Sequence, residues 1–490
     1  MVNTPDWVKH AVFYQIFPDR FARQGGAHLP LGISLKPWGS CPGEQGFQGG
    51  DLLGVCERLD YLQNLGINAI YLNPIFSSAC NHRYHTYDYF AVDPLLGGDQ
   101  ALRQLLDEAH ARDMKVILDG VFNHASRGFW AFHHILENGT DSPYIDWFEI
   151  EDWPLRPYHS DDDNPPNYKA WWGLPALPKF NINNTGVRQY IFSVAEYWLE
   201  FGIDGWRLDV PGEIDDDLFW REFRQRVKAI NPEAYICGEI WERATHWLQG
   251  DMFDATMNYE FCSLALSYFG HHSLRTDYKK NALPLEPLTT EEFIEGVGNM
   301  LGAMPKDIND VQFNLLGSHD MARPLWIVHE DISALQQAML FQMTMPGAPC
   351  LYYGDEISMT GEDDPHCRGA YPWHQPDLAD KRMLAYVREI IHLRHQVPAL
   401  RTGEVEFDTD LPPEVLGYQR TLDDQQVQVL INRGSEAQTI RLADAEQWTL
   451  LFGGAERLLP HGRELWVNLP ARHQVVLLRT TPPMSLAKAV

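Results

Sequence analysis

Residues 205–210 read GWRLDV, a short apolar run ending in an aspartate, with an arginine two positions before it. Side chains alternate across a strand, so Arg207 and Asp209 emerge on one face at the strand's end. Alone, such a pair reads as a structural ion bridge. The surrounding pattern changes that reading. Comparable runs recur at AVFYQIF (11–17), NAIYLNP (68–74), KVILDGVF (115–122), AYICGEIW (234–241), NLLGSH (314–319) and APCLYYGDEI (348–357), with a weaker one at ATMNYEF (255–261). Between them lie stretches such as QALRQLLDEAHARD and VRQYIFSVAEYWLEFG, apolar at helical spacing. Eight strands alternating with helices predict an α/β chain built on a parallel (β/α)₈ barrel.

Two regions break the rhythm. Residues 124–180 are rich in Trp, Pro, His and Asp without a clean helical period, which predicts a subdomain inserted after the third strand. From about residue 397, short alternating runs such as VLGYQR and QVQVLINR, separated by turn residues, predict a C-terminal antiparallel β-sandwich domain. The expected division is 1–123 and 181–396 for the barrel, 124–180 for the insert and 397–490 for the β domain.

The chain has 490 residues, 44% of them hydrophobic, and a formal net charge of −28. That charge repels nucleic-acid phosphates and anionic membranes, so a neutral substrate is expected. Seven scattered cysteines form no C-x-x-C pair, which predicts neither a zinc knuckle nor a disulfide framework. No signal segment or run of membrane-spanning length is seen, so a cytoplasmic location is expected and the sequons at Asn138 and Asn183 are chance matches. A homodimer is compatible with all of this.

In a barrel, chemistry sits at the C-terminal ends of the strands. Asp119 and His124, Arg207 and Asp209, Glu239, and His319 with Asp320 all fall there. Crowded acids shift one another's pKa, which lets one stay protonated while another ionises. Retaining glycoside hydrolysis needs that division, with a nucleophilic carboxylate and a protonated acid roughly 5–5.5 Å apart. Arg207 beside Asp209 is expected to keep it ionised as nucleophile. Glu239 has no such neighbour in sequence and Trp241 two residues on, so it is the expected proton donor.

The segments DGVFNH (119–124), GWRLDV (205–210), GEIW (238–241) and LLGSHD (315–320) resemble, in order, the four signature regions of the α-amylase family. The resemblance implies a barrel, an inserted domain and a C-terminal β-sandwich. It also implies Asp209 as nucleophile, Glu239 as acid/base and Asp320 as transition-state stabiliser. LPKFN (177–181), Glu213 and the opening WVKHAVFYQIFPDRF resemble the neopullulanase, cyclomaltodextrinase and maltogenic amylase group. By the same resemblance His82, Tyr84, His124, Arg207, Trp241 and His319 line the sugar subsite, and Asp364 with Arg368 grips the next sugar.

Three departures from that group stand out. Many members carry an N-terminal β module, whereas this sequence begins almost at strand one. DRFARQGGAHLP (19–30) lacks the acidic residues of a calcium loop, so no cofactor is expected, and no calcium at that loop. His85 stands where the group commonly has an aspartate. Trp171 and Trp172 read equally as a sugar-stacking platform or as the core of the insert. The expected activity is hydrolysis of α-1,4 and, more widely, α-1,6 bonds in maltooligosaccharides, cyclodextrins or pullulan. A transglycosylase using the same intermediate is the enzymatic alternative, and a catalytically silent carbohydrate-binding protein is the other.

Overall fold

A computed structural model describes residues 2–24, 29–158, 161, 164–454 and 458–480. Eight parallel strands run as expected: β1 (Phe13–Ile16), β2 (Ala69–Leu72), β3 (Lys115–Gly120), β4 (Gly205–Leu208), β5 (Tyr235–Gly238), β6 (Ala255–Thr256), β7 (Phe313–Leu315) and β8 (Ala348–Tyr352). The sheet order is β6-β5-β4-β3-β2-β1-β8-β7. A parallel bridge between Met257 and Phe313 closes it into a barrel. Phe13, Tyr235 and Phe313, all from odd-numbered strands, pack their rings together inside, with Phe13 5.8 Å from Tyr235 and 5.0 Å from Phe313. This is the layered filling that alternate strands produce in a closed barrel.

Strand register is pinned at the bottom rim by a repeated device. The polar residue just before one strand accepts the first free N–H of the strand before it. Asn68 takes Val12 N at 2.7 Å, Asp204 takes Val116 N at 2.9 Å, Asp254 takes Ile236 N at 2.9 Å and Gln312 takes Thr256 N at 2.9 Å. Each satisfies a backbone donor that burial would otherwise strand at a cost of about 1–3 kcal/mol.

The helix Thr185–Phe201 delivers β4. Asn184 caps its start by accepting from Gly186 N and Val187 N. Gly202, at φ 114, turns the chain sharply into Ile203 and Asp204. The β5–β6 connection carries the 3₁₀ turn Thr245–Leu248 and no α-helix. One expectation needs correcting. The insert does contain a helix, Trp130–Asn138, hidden from periodicity because its buried side chains join an aromatic cluster of Phe132, Phe148 and Tyr168.

The C-terminal strands form an antiparallel five-stranded sheet and a three-stranded one. Alternation sorts their side chains. Leu430, Val475 and Leu477 face a small core between the sheets, while Val429, Ile431 and Val476 join the barrel core.

Asp254 is fully buried and also accepts from Arg224 (2.8 Å) and Lys228 (2.9 Å). Asp254→Ala should cost about 3 kcal/mol, because it orphans two cations and the Ile236 amide. Calorimetry should show a clear fall in Tm, with Asp254→Asn recovering part of it by restoring the amide's acceptor.

Candidate active site

The register of three adjacent strands builds the centre. Asp119 on β3 pairs in register with Arg207 on β4, which pairs with Cys237 on β5. Two residues further up, with the same facing, come Asp209 and Glu239. The Arg207 guanidinium is fully buried and touches three carboxylates. Its Nη1 lies 2.8 Å from Asp119 Oδ1 and 3.0 Å from Asp209 Oδ1, and its Nη2 lies 2.9 Å from Glu239 Oε2. Arg207 therefore serves Glu239 as well as Asp209, although Glu239 has no cationic neighbour in sequence. Neighbours in sequence could not reveal a contact made across strands.

One guanidinium cannot neutralise three acids. Burial pushes the Asp209 carboxyl well above the usual carboxylate range; Arg207 opposes this, and Glu239 and Asp119 add to it. Burial raises Glu239 too, against the pull of Arg207 and with a push from Asp320. The Asp209–Glu239 pair therefore tends to keep a proton. Glu239 is further held by Val210 N, which donates to Oε2 at 3.0 Å, and by Trp241 Nε1, which donates to Oε1 at 3.2 Å. Trp241 in turn stacks on Tyr259 at 3.7 Å, so it meets the site through Glu239. Val210 is strained, with φ 35 at a β-branched residue, and that turn aims its amide at the carboxylate.

Asp320 sits in different electrostatics. Its Oδ2 is 3.0 Å from His319 Nε2 and its Oδ1 is 3.2 Å from Arg368 Nη2. Burial alone would raise its pKa, but His319 and Arg368 outweigh it and hold the carboxyl well below the usual range. Asp364 pairs with the same Arg368 at 3.0 Å. His319 is fixed from behind, with Gln15 Nε2 2.8 Å from Nδ1 and Tyr84 Oη 2.5 Å from Nε2. Tyr84 and Tyr71 both donate to Asp119 Oδ2, at 2.8 and 2.6 Å. One continuous polar network thus joins Asp119, Arg207, Asp209, Glu239, Tyr84, His319, Asp320, Arg368 and Asp364.

Residues 15–391 match the family described as alpha amylase, catalytic domain. The chain belongs to the α-amylase family. It is 43% identical over 475 residues to a cyclomaltodextrinase from Geobacillus thermopakistaniensis (strain MAS1), covering 96% of this chain and 77% of that protein. The structure of the Nostoc punctiforme debranching enzyme in its native form superposes with a TM-score of 0.89 and 46% identity, covering 98% of this chain and all of that one. The ligand-free cyclic α-maltosyl-(1→6)-maltose hydrolase of Arthrobacter globiformis gives a TM-score of 0.86 at 36% identity, over 98% and 100% of the two chains.

The remaining expected α-amylase-family site residues lie around this network. His82 faces Tyr84 with ring centroids 6.0 Å apart. His124 is buried, and burial lowers its pKa to about 3, so the ring is neutral. It stacks on Trp171 at 5.2 Å, and Trp171 stacks on Trp172 at 4.3 Å. Trp172 is 74% exposed and projects outward, while Trp171 is half-buried between it and His124. Lys179 of LPKFN reaches Glu213 at 3.2 Å beside this stack. Of DRFARQGGAHLP, residues 25–28 lie outside the described residues; Asp19 is buried and engaged by Arg20, Gln48 N and Gly49 N.

Sequence reasoning missed Tyr71, Gln15 and Val210, which carry no motif of their own. It also missed the grouping of Cys80, His82 and His85, for which the spacing C-x-H-x-x-H at 80–85 was the available signal.

The opposed electrostatics can be read in stability. A pKa raised on folding stabilises the folded state only below the unfolded value, about 3.9 for aspartate, and is a growing penalty above it. Asp209→Asn should therefore raise Tm at pH 7, and the gain should vanish near pH 3. Asp320 has its pKa lowered on folding, so Asp320→Asn should lower Tm at pH 7, with the deficit shrinking as pH falls below about 4. Calorimetric scans of both variants across pH 3–8 check the signs.

Proposed function

We propose that this protein is a retaining α-glucan hydrolase of the cyclomaltodextrinase and neopullulanase type. The observation that carries the reading is Arg207 bridging Asp209 and Glu239, with Asp320 held apart by His319 and Arg368. Asp209 attacks the anomeric carbon. Glu239 gives its proton to the departing glycosidic oxygen, and a glycosyl-aspartate forms with inversion. Glu239, now a carboxylate, takes a proton from water, which attacks the same carbon and inverts it again. The starting α configuration is regained.

In this reading the proton that burial keeps on the acidic pair resides on Glu239 when substrate binds. Arg207 offsets the charge left behind on Asp209 and Asp119 without leaving the barrel. Asp320, kept ionised by His319 and Arg368, accepts hydrogen bonds from the sugar hydroxyls, and these strengthen as positive charge grows on the ring. His82, Tyr84, His124 and His319 border that ring, and Asp364 with Arg368 grips the next one. The exposed Trp172, stacked on Trp171, offers an apolar face to sugars beyond the cleavage point.

No step requires a cofactor, and we expect no calcium requirement. The substrates are α-1,4-linked cyclodextrins and short maltooligosaccharides, with α-1,6 bonds as a second class. The names of the relatives support this range, and the charge of −28 weighs against a nucleic-acid or anionic-membrane partner. Among the described residues no helix is long and apolar enough to cross a membrane. All seven cysteines are free, which favours a reducing cytoplasm.

Chromatography of products from β-cyclodextrin, pullulan, starch and maltotriose, with proton NMR of the first-formed anomer, tests the proposal. Expected are α-anomers and faster opening of β-cyclodextrin than degradation of starch. A β-anomer would refute retention. From maltotriose, products longer than the substrate, formed faster than glucose and maltose, would reassign the enzyme as a transglycosylase.

A further inference from the structure

The loop between the strands Phe76–Ser78 and Thr86–Val92 brings together Cys80, His82 and His85. One ligand atom from each lies within 4.8 Å of the others, and all three side chains are half-buried. Among the described residues this is the one such group. Cys80 Sγ is 3.0 Å from His85 Nδ1, and the His82 and His85 rings meet edge to face at 4.9 Å. The proposed hydrolysis uses neither Cys80 nor His85.

The loop is held in shape. Arg83, at φ 60 in its middle, is buried, pairs with Asp93 at 3.1 Å and donates to Asn81 O at 2.9 Å. Its own N–H closes a turn onto Cys80 O at 3.1 Å. Ligand atoms around a tetrahedral zinc, with bonds of about 2.0–2.3 Å, are about 3.5 Å apart. The three atoms, already within 4.8 Å of one another, need to close by little more than about 1 Å to reach that spacing. One thiolate and two imidazoles are a soft set that suits zinc and related divalent transition metals and suits calcium poorly.

We propose that Cys80, His82 and His85 bind a divalent transition-metal cation of the zinc type, and that the bound ion inhibits the enzyme. The cation displaces the Cys80 thiol proton, which leaves to solvent, so the site gains one net positive charge: two arrive with the cation and one departs with the proton. His82 must give up the hydrogen bond it accepts from Tyr84 N at 3.2 Å, and its ring turns away from the subsite it shares with Tyr84. The inhibitory half of the proposal rests on His82 serving that subsite; the binding half does not.

The test uses the full chain stripped with a chelator and titrated with Co²⁺, whose sulfur-to-metal charge-transfer absorption reports a thiolate ligand. Expected is a band that saturates at one equivalent, is removed by Zn²⁺, and is absent in Cys80→Ser. His85→Asn should weaken binding roughly tenfold or more. Zn²⁺ should lower cyclodextrin turnover of the wild type and spare Cys80→Ser, whose turnover without metal should be unchanged. Cys41 is the exposed free thiol, so Cys41→Ser serves as a control that keeps both the band and the inhibition. A missing band, a band that survives Cys80→Ser, or one lost in Cys41→Ser would overturn the site. Binding at Cys80 with turnover undiminished would overturn the inhibition and point to a misplaced His82.

Discussion

A fully buried guanidinium that serves three carboxylates is the constraint around which the barrel is arranged. Arg207 has no water to solvate it, so Asp119, Asp209 and Glu239 must replace the solvent. Each reaches it only because β3, β4 and β5 run in the observed register. A one-residue slip of any of these strands would turn its own charges into the packing between sheet and helices. The polar caps at the bottom rim, Asp204 holding the Val116 amide of β3 and Asp254 the Ile236 amide of β5, guard that register on either side of Arg207.

The same crowding sets stability against chemistry. Three acids about one cation disfavour full ionisation, which the fold tolerates because the barrel's apolar core is large. Asp320 has His319 and Arg368 as partners of its own, so the site contains an acid pair that holds a proton and a third acid that does not. Val210 adds backbone strain at the point where its amide meets Glu239. Strain and uncompensated charge both gather where the chemistry would occur.

How much of this was legible in the sequence depends on the range of each contact. Arg207 and Asp209 share a face because side chains alternate, and that was readable from GWRLDV alone. The eight strands were readable because each is a short apolar run followed, in most cases, by a helical period. Contact between Arg207 and Glu239 was not readable, since it depends on register between strands separated by a helix. Trp172 could not be placed, because its backbone at φ 53 breaks the local pattern and turns the ring outward. The insert's helix was obscured by aromatic residues packed on more than one side. Cys80, His82 and His85 lie within six residues of one another, but only the loop conformation held by Arg83 brings their ligand atoms together.

The assignment of Asp209 as the attacking carboxylate is the centre of the account, and trapping tests it most directly. Glu239→Gln given α-maltosyl fluoride needs no proton to expel fluoride but has no base to activate water, so the glycosyl-enzyme should accumulate. Mass spectrometry of the digested protein should find one maltosyl unit on the peptide that contains Asp209, and added azide should release it as the α-glycosyl azide. A label on the peptide of Asp119 or Asp320, or a product of inverted configuration with no labelled peptide, would contradict the account.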